Sequence, residues 1–218
     1  MGTQQEQTAR LPSADCPLCP RLAAFRADNR AAHPDWFNAP VPPFRPGVEP
    51  RLLIVGLAPG LRGANRTGRP FTGDFAGDTL YTALLKHGFA AGTYGARPDD
   101  GLRLVDCRIT NAVRCVPPEN KPVGAEIAAC RPFLASEIAG LPRLAVILAL
   151  GAIAHQAVLA SLKLRQAAAR FGHGALHALP GGVTLADSYH CSRYNTNTGR
   201  LTVEMFDAVI AAIRIRLS

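Results

Sequence analysis

The sequence predicts an α/β protein, a three-layer α/β/α sandwich with a four-stranded parallel sheet between layers of helices. Four apolar, strand-like runs carry this prediction, and they are residues 51–57, 102–113, 143–150 and 182–190. Segments with a helical spacing of apolar residues separate them, and this alternation is typical of a parallel sheet covered on both faces. The 218 residues, 48% hydrophobic and 18% charged, suffice for one domain with a real core.

The elements follow in order from the N-terminus. We predict a disordered tail over residues 1–13 and a single domain over residues 14–218. Residues 16–29 predict a turn followed by a short helix. The Pro-rich segment 33–50 is incompatible with regular structure and predicts a connecting arm.

From residue 51 onward, strands and helices alternate. After the first strand and a long loop to Ala76, a helix over 77–88 places three leucines on one face and stops at Gly88. The later elements are a strand ending at Asn111, a helix over 124–141, a strand over 143–150, a helix over 151–162, a strand ending at His190 and a closing helix over 201–217. Ligands bind beyond the carboxyl ends of parallel strands, so we expect the loops that follow the four strands to share one mouth. These loops start after Leu57, Thr110, Leu150 and Asp187.

The chain is basic, with a net charge of +8 and a pI near 9.6. Such a surface attracts polyanions, with nucleic acid as the first candidate, although a compositional preference for Arg would give the same charge. The longest apolar stretch, residues 144–154, is shorter than the ~20 residues that span a bilayer. The N-terminus lacks the pattern of a secretory signal. We therefore expect a cytoplasmic protein with no membrane partner.

A Gly-rich loop, GLAPGLRGANRTGRPFTGD, occupies residues 56–74 directly after the first strand. Loops in this position often bind phosphate, but this one lacks the Gly-Lys pair of a Walker A loop. Ala58-Pro59 and Pro70 are incompatible with a dinucleotide fingerprint, which opens a helix at once. The loop therefore predicts neither an NTPase nor a Rossmann site.

The loop combines small residues at its root with an aromatic ring and a carboxylate, and these are Gly56, Ala58, Gly60, Phe71 and Asp74. Small residues let a flat ligand approach the backbone. Phe71 could stack on a ring, and Asp74 could act as a base or an electrostatic partner. The alternative is that Phe71 belongs to the core and Asp74 caps the next helix.

Two polar residues end predicted strands. Asn111 offers an acceptor and paired donors that can match the edge of a nucleobase, and His190 can donate a hydrogen bond to developing negative charge. A structural role is the alternative for a single histidine, but two polar strand ends together favour a site.

Four of the six cysteines form a candidate metal site, and they are Cys16, Cys19, Cys115 and Cys130. The fourteen-residue gap in the second pair is unusual for zinc, whereas iron–sulfur ligands need only converge in space. Cys107 is expected to be a core thiol. A nucleophile formed by Cys191 and His190 is excluded because adjacent strand residues point to opposite faces.

Three blocks resemble the uracil-DNA glycosylase superfamily, specifically its iron–sulfur-containing family five, the b type. They are residues 56–74, ITNAVRCVPPENKP at 109–122 and HCSRYNTNTGRLT at 190–202. The resemblance extends over about residues 14–217. It implies a four-stranded parallel sheet flanked by helices, and excision of uracil from DNA by cleavage of the N-glycosidic bond, which leaves an abasic site.

The resemblance also implies roles for individual residues. Phe71 matches the residue that stacks on uracil, Asn111 the residue that reads its edge, and His190 the histidine of the final motif. Ala58 stands where other families carry a water-activating carboxylate, and Asp74 is the implied replacement. The implied catalytic residues are Asp74, His190 and Asn111, and the implied substrate-binding residues are Gly56, Ala58, Phe71, Asn111 and His190.

The four cysteines named above match the family's cluster ligands and imply a [4Fe-4S] cluster. Excision needs no redox step, so we expect the cluster to be a structural staple. One departure is that the final motif reads His190-Cys191-Ser192 where the family usually has His-Pro-Ser. Loss of the proline relaxes the backbone at the loop expected to insert into DNA.

DNA containing uracil or another deaminated base is the expected partner, and the protein is expected to be a monomer. Extruding a base costs a few kcal/mol, and phosphate contacts supply the binding. The candidate DNA contacts are Arg62, Arg66, Arg69, Arg114, Lys121, Arg193, Tyr194 and Arg200. Of these, Arg193 or Tyr194 could fill the gap left by the base.

Two other functions are weighed against excision. The first is a non-catalytic iron–sulfur protein that binds nucleic acid, for which Asp74 would have no use. The second is a zinc-stabilised nucleotide hydrolase, which the lack of a phosphate loop and of a metal-binding carboxylate cluster disfavours.

Overall fold

A five-stranded sheet forms the centre of the computed structural model, which describes residues 10–45 and 49–218. Its strands are β1 (Leu52–Gly56), β4 (Cys107–Asn111), β5 (Val146–Leu150), β6 (Leu176–Ala178) and β7 (Thr184–Ser188). They lie in the order β4-β1-β5-β7-β6, and the first four of these run parallel. The four predicted parallel strands are therefore confirmed.

The predicted strand count of four is corrected to five, because β6 pairs antiparallel with β7 at the edge of the sheet. Leu176 and Ala178 are exposed and His177 is half-buried. This three-residue strand lacks the continuous apolar run of its buried neighbours, and it is too short to show a periodicity.

Helices cover both faces of the sheet, which confirms the three layers. The helices are α1 (Pro20–Ala32), α2 (Ala64–Thr67), α3 (Phe75–Lys86), α4 (Gly124–Ala139), α5 (Ala152–Ser161), α6 (Arg193–Asn197) and α7 (Val203–Arg216). Along β1, Leu52 and Ile54 join the core formed with α3 and α7, while Leu53 and Val55 join the core formed with α4 and α5. Within the described ranges, no helix is both long and apolar enough to cross a membrane.

The predicted strand over 102–113 is divided in two. Its first part is β3 (Arg103–Leu104), which forms a small antiparallel hairpin with β2 (Ala90–Ala91). Asp106 then takes a left-handed conformation with φ of 54°, which interrupts the extended chain. The second part is β4, and it ends at Asn111 as predicted.

The described part of the Pro-rich arm is irregular, as predicted, except that Phe44 forms an isolated antiparallel bridge with Ile109 at the outer edge of β4. Most of the predicted tail, residues 1–9, lies outside the described residues, as do residues 46–48. Arg10, which the tail prediction includes, donates its backbone N–H to Ser136 Oγ at 2.9 Å.

Candidate active site

A cavity of about 720 Å³ opens at the carboxyl ends of the parallel strands. Five of the predicted catalytic and substrate-binding residues line it, and these are Ala58, Phe71, Asp74, Asn111 and His190. Gly151, after β5, lies against His190, where a Cβ on the glycine would be 3.6 Å from that of the histidine. The loops after β1, β4 and β7 therefore meet at one mouth, and the start of the loop after β5 lies beside His190 without lining the cavity.

Gly56 allows two of these side chains to approach the end of β1. It is paired in register with Asn111 of β4. A Cβ on Gly56 would lie 2.6 Å from Phe71 Cζ and would overlap Asn111 Oδ1. Phe71 is buried and has a φ of 53°, a left-handed conformation that is uncommon for a bulky residue. The Tyr94 hydroxyl donates to the Phe71 carbonyl at 3.3 Å and helps to hold it.

Asn111 presents an unused acceptor to the cavity. The residue is 3% exposed, and among the described residues its Oδ1 has no hydrogen-bond partner. An acceptor left in this state costs about 1–3 kcal/mol, so the arrangement favours a ligand that brings a donor.

Asp74 combines the two roles that the sequence left open. It is the N-cap of α3, and its Oδ1 accepts the backbone N–H of Gly77 at 3.1 Å. It also lines the cavity, with Oδ2 against Gly60 and Gly63. Burial raises the pKa of this carboxyl, and the nearby charge of Asp78 raises it further.

His190 lies two residues beyond the end of β7 and is half-buried. Its ring and that of Phe71 are 5.9 Å apart between centroids and inclined by 29°. Burial lowers the pKa of His190 to about 4, so the imidazole is neutral near pH 7. A neutral imidazole can still donate one hydrogen bond.

A buried hydrogen-bonded group of one carboxylate and two histidines anchors the strand that leads to His190. Asp187 is fully buried at the end of β7 and lies 2.7 Å from His155 Nδ1 and 3.1 Å from His177 Nε2. The other ring nitrogen of His155 is 3.0 Å from the Ala169 carbonyl. Both oxygens of Asp187 and both ring nitrogens of His155 therefore have partners within the protein.

The loop after His190 is ordered without the usual proline. Cys191 is fully buried and its thiol donates to the Ala76 carbonyl at 3.4 Å. Burial raises its pKa to about 12, which keeps it protonated and supports its exclusion as a nucleophile. Ser192 caps α6 by accepting the Asn195 N–H at 3.3 Å. Packing and capping therefore restrain this loop.

Six of the candidate DNA contacts are exposed, and they are Arg62, Arg66, Lys121, Arg193, Tyr194 and Arg200. Arg62 and Arg193 line the cavity itself. The Arg193 guanidinium lies 5.5 Å from the centre of the Phe75 ring, and that of Arg200 lies 4.6 Å from the Tyr189 ring. Aromatic contacts of this kind orient cations at a surface.

The prediction that Arg69 and Arg114 contact DNA is corrected, because the structure places both side chains inside the protein. Arg69 is 6% exposed and forms a two-pronged ion pair with Asp100 at 2.8 and 2.7 Å. Arg114 is 1% exposed and pairs with Glu137. Sequence position near the mouth suggested DNA contact, but carboxylates that are distant in sequence determine where these side chains point.

The four predicted metal-ligating cysteines come together beneath α1 and α4. Cys19, Cys115 and Cys130 share one apolar cluster. Burial, and next the neighbouring Cys130 thiol, raise the pKa of Cys19 to about 11, with Cys16 contributing in the same direction. All six cysteines of the chain are free thiols.

The surroundings of these cysteines fit an anionic iron–sulfur group. Arg26 is buried and its Nη1 donates to Cys115 Sγ at 3.5 Å. Arg114 lies near Cys130, and its buried Nε and Nη1 have no partner among the described residues. Buried guanidinium donors beside thiolates match a cluster whose sulfur atoms accept hydrogen bonds.

Among the cavity-lining residues that sequence reasoning did not single out are Phe75, Asn120 and Ser192. Asn120 has a φ of 56°, in a turn that follows Pro117 and Pro118. The Pro-Pro-Glu-Asn stretch signals a turn, but nothing local shows that the turn reaches the mouth of the cavity.

The parallel sheet, the cavity at its carboxyl edge and the exposed basic residues around that cavity define an α/β protein with a ligand site beyond its strand ends. A family model described as "Uracil DNA glycosylase superfamily" matches residues 42–214, and the chain belongs to this superfamily.

Individual relatives show which family of the superfamily the chain is similar to. The chain is 49% identical over 201 residues to a type-5 uracil-DNA glycosylase of Thermus thermophilus, covering 89% of this chain and 90% of the relative. It is 43% identical over 205 residues to one of Mycobacterium bovis, covering 89% and 75%. Another, from Pyrobaculum aerophilum, is 40% identical over 200 residues, covering 90% and 86%. The predicted resemblance to family five is thereby confirmed, and the similarity supports a hydrolase that excises uracil in DNA repair.

Proposed function

We propose that this protein excises uracil from DNA with Asn111, His190 and Asp74 acting on a base that has been flipped into the cavity. The observation that carries the proposal is the unused, buried Oδ1 of Asn111 beside the Phe71 ring. A base inside a duplex cannot reach such a position, so the nucleotide must leave the stack.

Uracil suits this arrangement chemically. Its N3–H is a donor for Asn111 Oδ1, and its O4 is an acceptor for the amide of the same side chain. Cytosine presents the opposite pattern, an acceptor at N3 and a donor at N4, and would leave the buried amide mismatched. Phe71 supplies a stacking face, and Ala58, a small residue on the wall, leaves room for other deaminated bases.

Cleavage of the glycosidic bond leaves negative charge on the base and positive charge on the sugar. His190, neutral because burial lowers its pKa to about 4, donates a hydrogen bond to the departing base. Asp74 in its ionised form offsets the charge on the sugar and orients the attacking water. Its contact with Gly77 holds the carboxylate in place.

The exposed arginines around the mouth bind DNA phosphates, with Arg62 and Arg193 nearest to the flipped nucleotide. Tyr194 is 73% exposed on α6, and this exposure supports a role for it, or for the neighbouring Arg193, in filling the gap in the duplex. The described residues that line the cavity all belong to one chain, which supports action as a monomer, and we propose that the enzyme acts in the cytoplasm.

Cys16, Cys19, Cys115 and Cys130 would hold a [4Fe-4S] cluster. It would cross-link the N-terminal segment to the segment after β4 and to the middle of α4, and it would take no part in excision. Arg26 and Arg114 would neutralise part of its charge.

A labelled duplex with one uracil, followed by alkali, tests the proposal, with the same duplex carrying thymine as the matched control. We expect strand breaks at uracil alone. Tight binding of both duplexes without breaks would instead favour a non-catalytic DNA-binding protein.

A further inference from the structure

Glu137 is fully buried on α4 and contacts side chains on both sides of Asn111 along the chain. Its Oε2 accepts a hydrogen bond from Thr110 Oγ1 at 2.9 Å and another from Arg114 Nη2. Its Oε1 lies 2.9 Å from Arg108 Nε in an ion-pair contact. One carboxylate therefore holds both the strand before Asn111 and the segment after it.

The alternation of side chains along β4 places these contacts behind Asn111. Arg108 and Thr110 point toward α4, whereas Asn111 points to the opposite face and into the cavity. β4 is an edge strand of the sheet. In the part of the chain that the structure describes, the bridge from Phe44 supports its outer side, and just beyond the strand the Val41 N–H donates to the Arg114 carbonyl at 2.7 Å. The end of this strand thus depends on side-chain contacts more than a central strand would.

Burying the charges of Glu137, Arg108 and Arg114 costs free energy of desolvation, so a contribution to stability alone does not explain this group. The side chains of Arg108 and Arg114 are 8% and 1% exposed, and that of Glu137 is fully buried. Replacing such buried ion pairs with apolar residues is often neutral or stabilising, so the pair needs a reason beyond stability. Fixing a geometry is one such reason, and the residue between the contacts is Asn111.

We infer that Glu137 is a positioning residue, which holds the end of β4 so that the Asn111 amide keeps the orientation that reads the base. The identity of that base rests on the proposed function, whereas the contacts of Glu137 do not.

Two variants test the inference. Glu137→Gln keeps the size and one acceptor oxygen but removes the charge. Thr110→Val removes a single hydrogen bond and serves as a milder variant if Glu137→Gln is too unstable to fold. The matched control is Asp106→Asn, which removes the carboxylate that pairs with Arg51 at 2.7 Å near the other end of β4.

Single-turnover excision is measured well below each melting temperature. We expect Glu137→Gln to slow it by roughly tenfold or more, the scale of a small misplacement at a site, and Thr110→Val to slow it less. Asp106→Asn should match the wild type. In combination with Asn111→Ala, Glu137→Gln should cause no additional loss, because both changes disable one function. A wild-type rate in Glu137→Gln, or losses that multiply in the double variant, would overturn the positioning role.

Amide hydrogen exchange gives a readout that does not require catalysis. The N–H groups of Ala112 and Val113 donate to the carbonyls of Gly56 and Leu57, both at 2.9 Å. We expect them to exchange faster in Glu137→Gln but not in Asp106→Asn. If the wild type released no uracil, the proposed function would fail, while unchanged exchange in Glu137→Gln would by itself overturn the positioning role.

Discussion

Asp74 Oδ1 accepts the backbone N–H of Gly77 at 3.1 Å, and the same carboxylate lines the cavity. The side chain that caps the helix therefore also lines the cavity, so the two interpretations of the sequence are compatible. The cap fixes one oxygen on the end of α3, and the other lies against the glycines of the loop. A variant that keeps the cap but removes the charge can therefore test the proposed catalytic role of Asp74 apart from its role in stability.

We predict that Asp74→Asn slows single-turnover excision by roughly 10²-fold or more, the usual scale for losing one catalytic group. Asn caps helices about as well as Asp, so the bond to Gly77 is kept. Burial raises the pKa of Asp74, which means that the native state disfavours its ionised form. The variant should therefore melt at the same temperature as the wild type or higher.

Thr202→Ala is the matched control for this prediction. Thr202 caps α7 by accepting the Met205 N–H at 3.2 Å and does not line the cavity. Its loss should cost about 1 kcal/mol of stability with no change in rate. If Asp74→Asn cleaved at the wild-type rate, its carboxylate would be a cap and nothing more.

The pH dependence of excision should report Asp74. Its pKa is raised above the ordinary carboxyl value, so activity should fall with decreasing pH at a higher pH than for a free aspartate. His190, whose pKa burial lowers to about 4, becomes protonated only at the acid end of the range and adds no step near pH 6.5. Single-turnover rates from about pH 4.5 to 8 should show an acid limb that moves to lower pH in Asp74→Asn. A step near 6.5 that His190→Gln abolishes would contradict this assignment.

Asn111→Ala should lose excision while duplex binding changes by no more than a few-fold. Phosphate contacts supply most of the affinity, and the exposed arginines are unaffected. Binding by fluorescence anisotropy and cleavage on the same duplex measure the two effects separately. Excision that persisted near the wild-type rate would remove Asn111 as the base reader.

Cys115→Ser should abolish the absorption near 400 nm (a rough position for iron–sulfur proteins), lower the iron content and lower the melting temperature. Cys107→Ser is the control, since Cys107 is a fully buried thiol on β4 outside the cysteine group. Iron content and colour should be unchanged in that variant. Equal iron in the Cys115 variant and the wild type would refute the ligand assignment.

Arg193→Gln should weaken DNA binding and reduce the magnitude of its salt dependence by about one counterion. Arg69→Gln should leave the salt dependence unchanged and lower stability instead, because it breaks the buried pair with Asp100. Titrations at several salt concentrations, with thermal melts of both proteins, distinguish the effects. A smaller salt slope in Arg69→Gln would show that this side chain reaches DNA.

Local signals in the sequence were enough for the four parallel strands, for the longer helices and for several of the residues that line the cavity. The buried runs at β1, β5 and β7 predict their strands because residues covered on both faces must be apolar. Polar residues at the ends of such strands predict a site, since parallel strands bring their carboxyl ends together. Asn111, His190 and the loop from Gly56 could be located in this way, and the resemblance supplied their roles.

Tertiary structure decided what depends on distant partners. Arg69 and Arg114 lie in loops near the mouth, yet Asp100 and Glu137 draw them into the interior. The three-residue strand β6 exists because β7 offers it an edge, not because of its own pattern. The position of a buried charged side chain depends on the position of its counter-charge, and a short edge strand forms only where a neighbouring strand offers it unpaired backbone groups. Neither can be predicted from the residues that are adjacent in sequence.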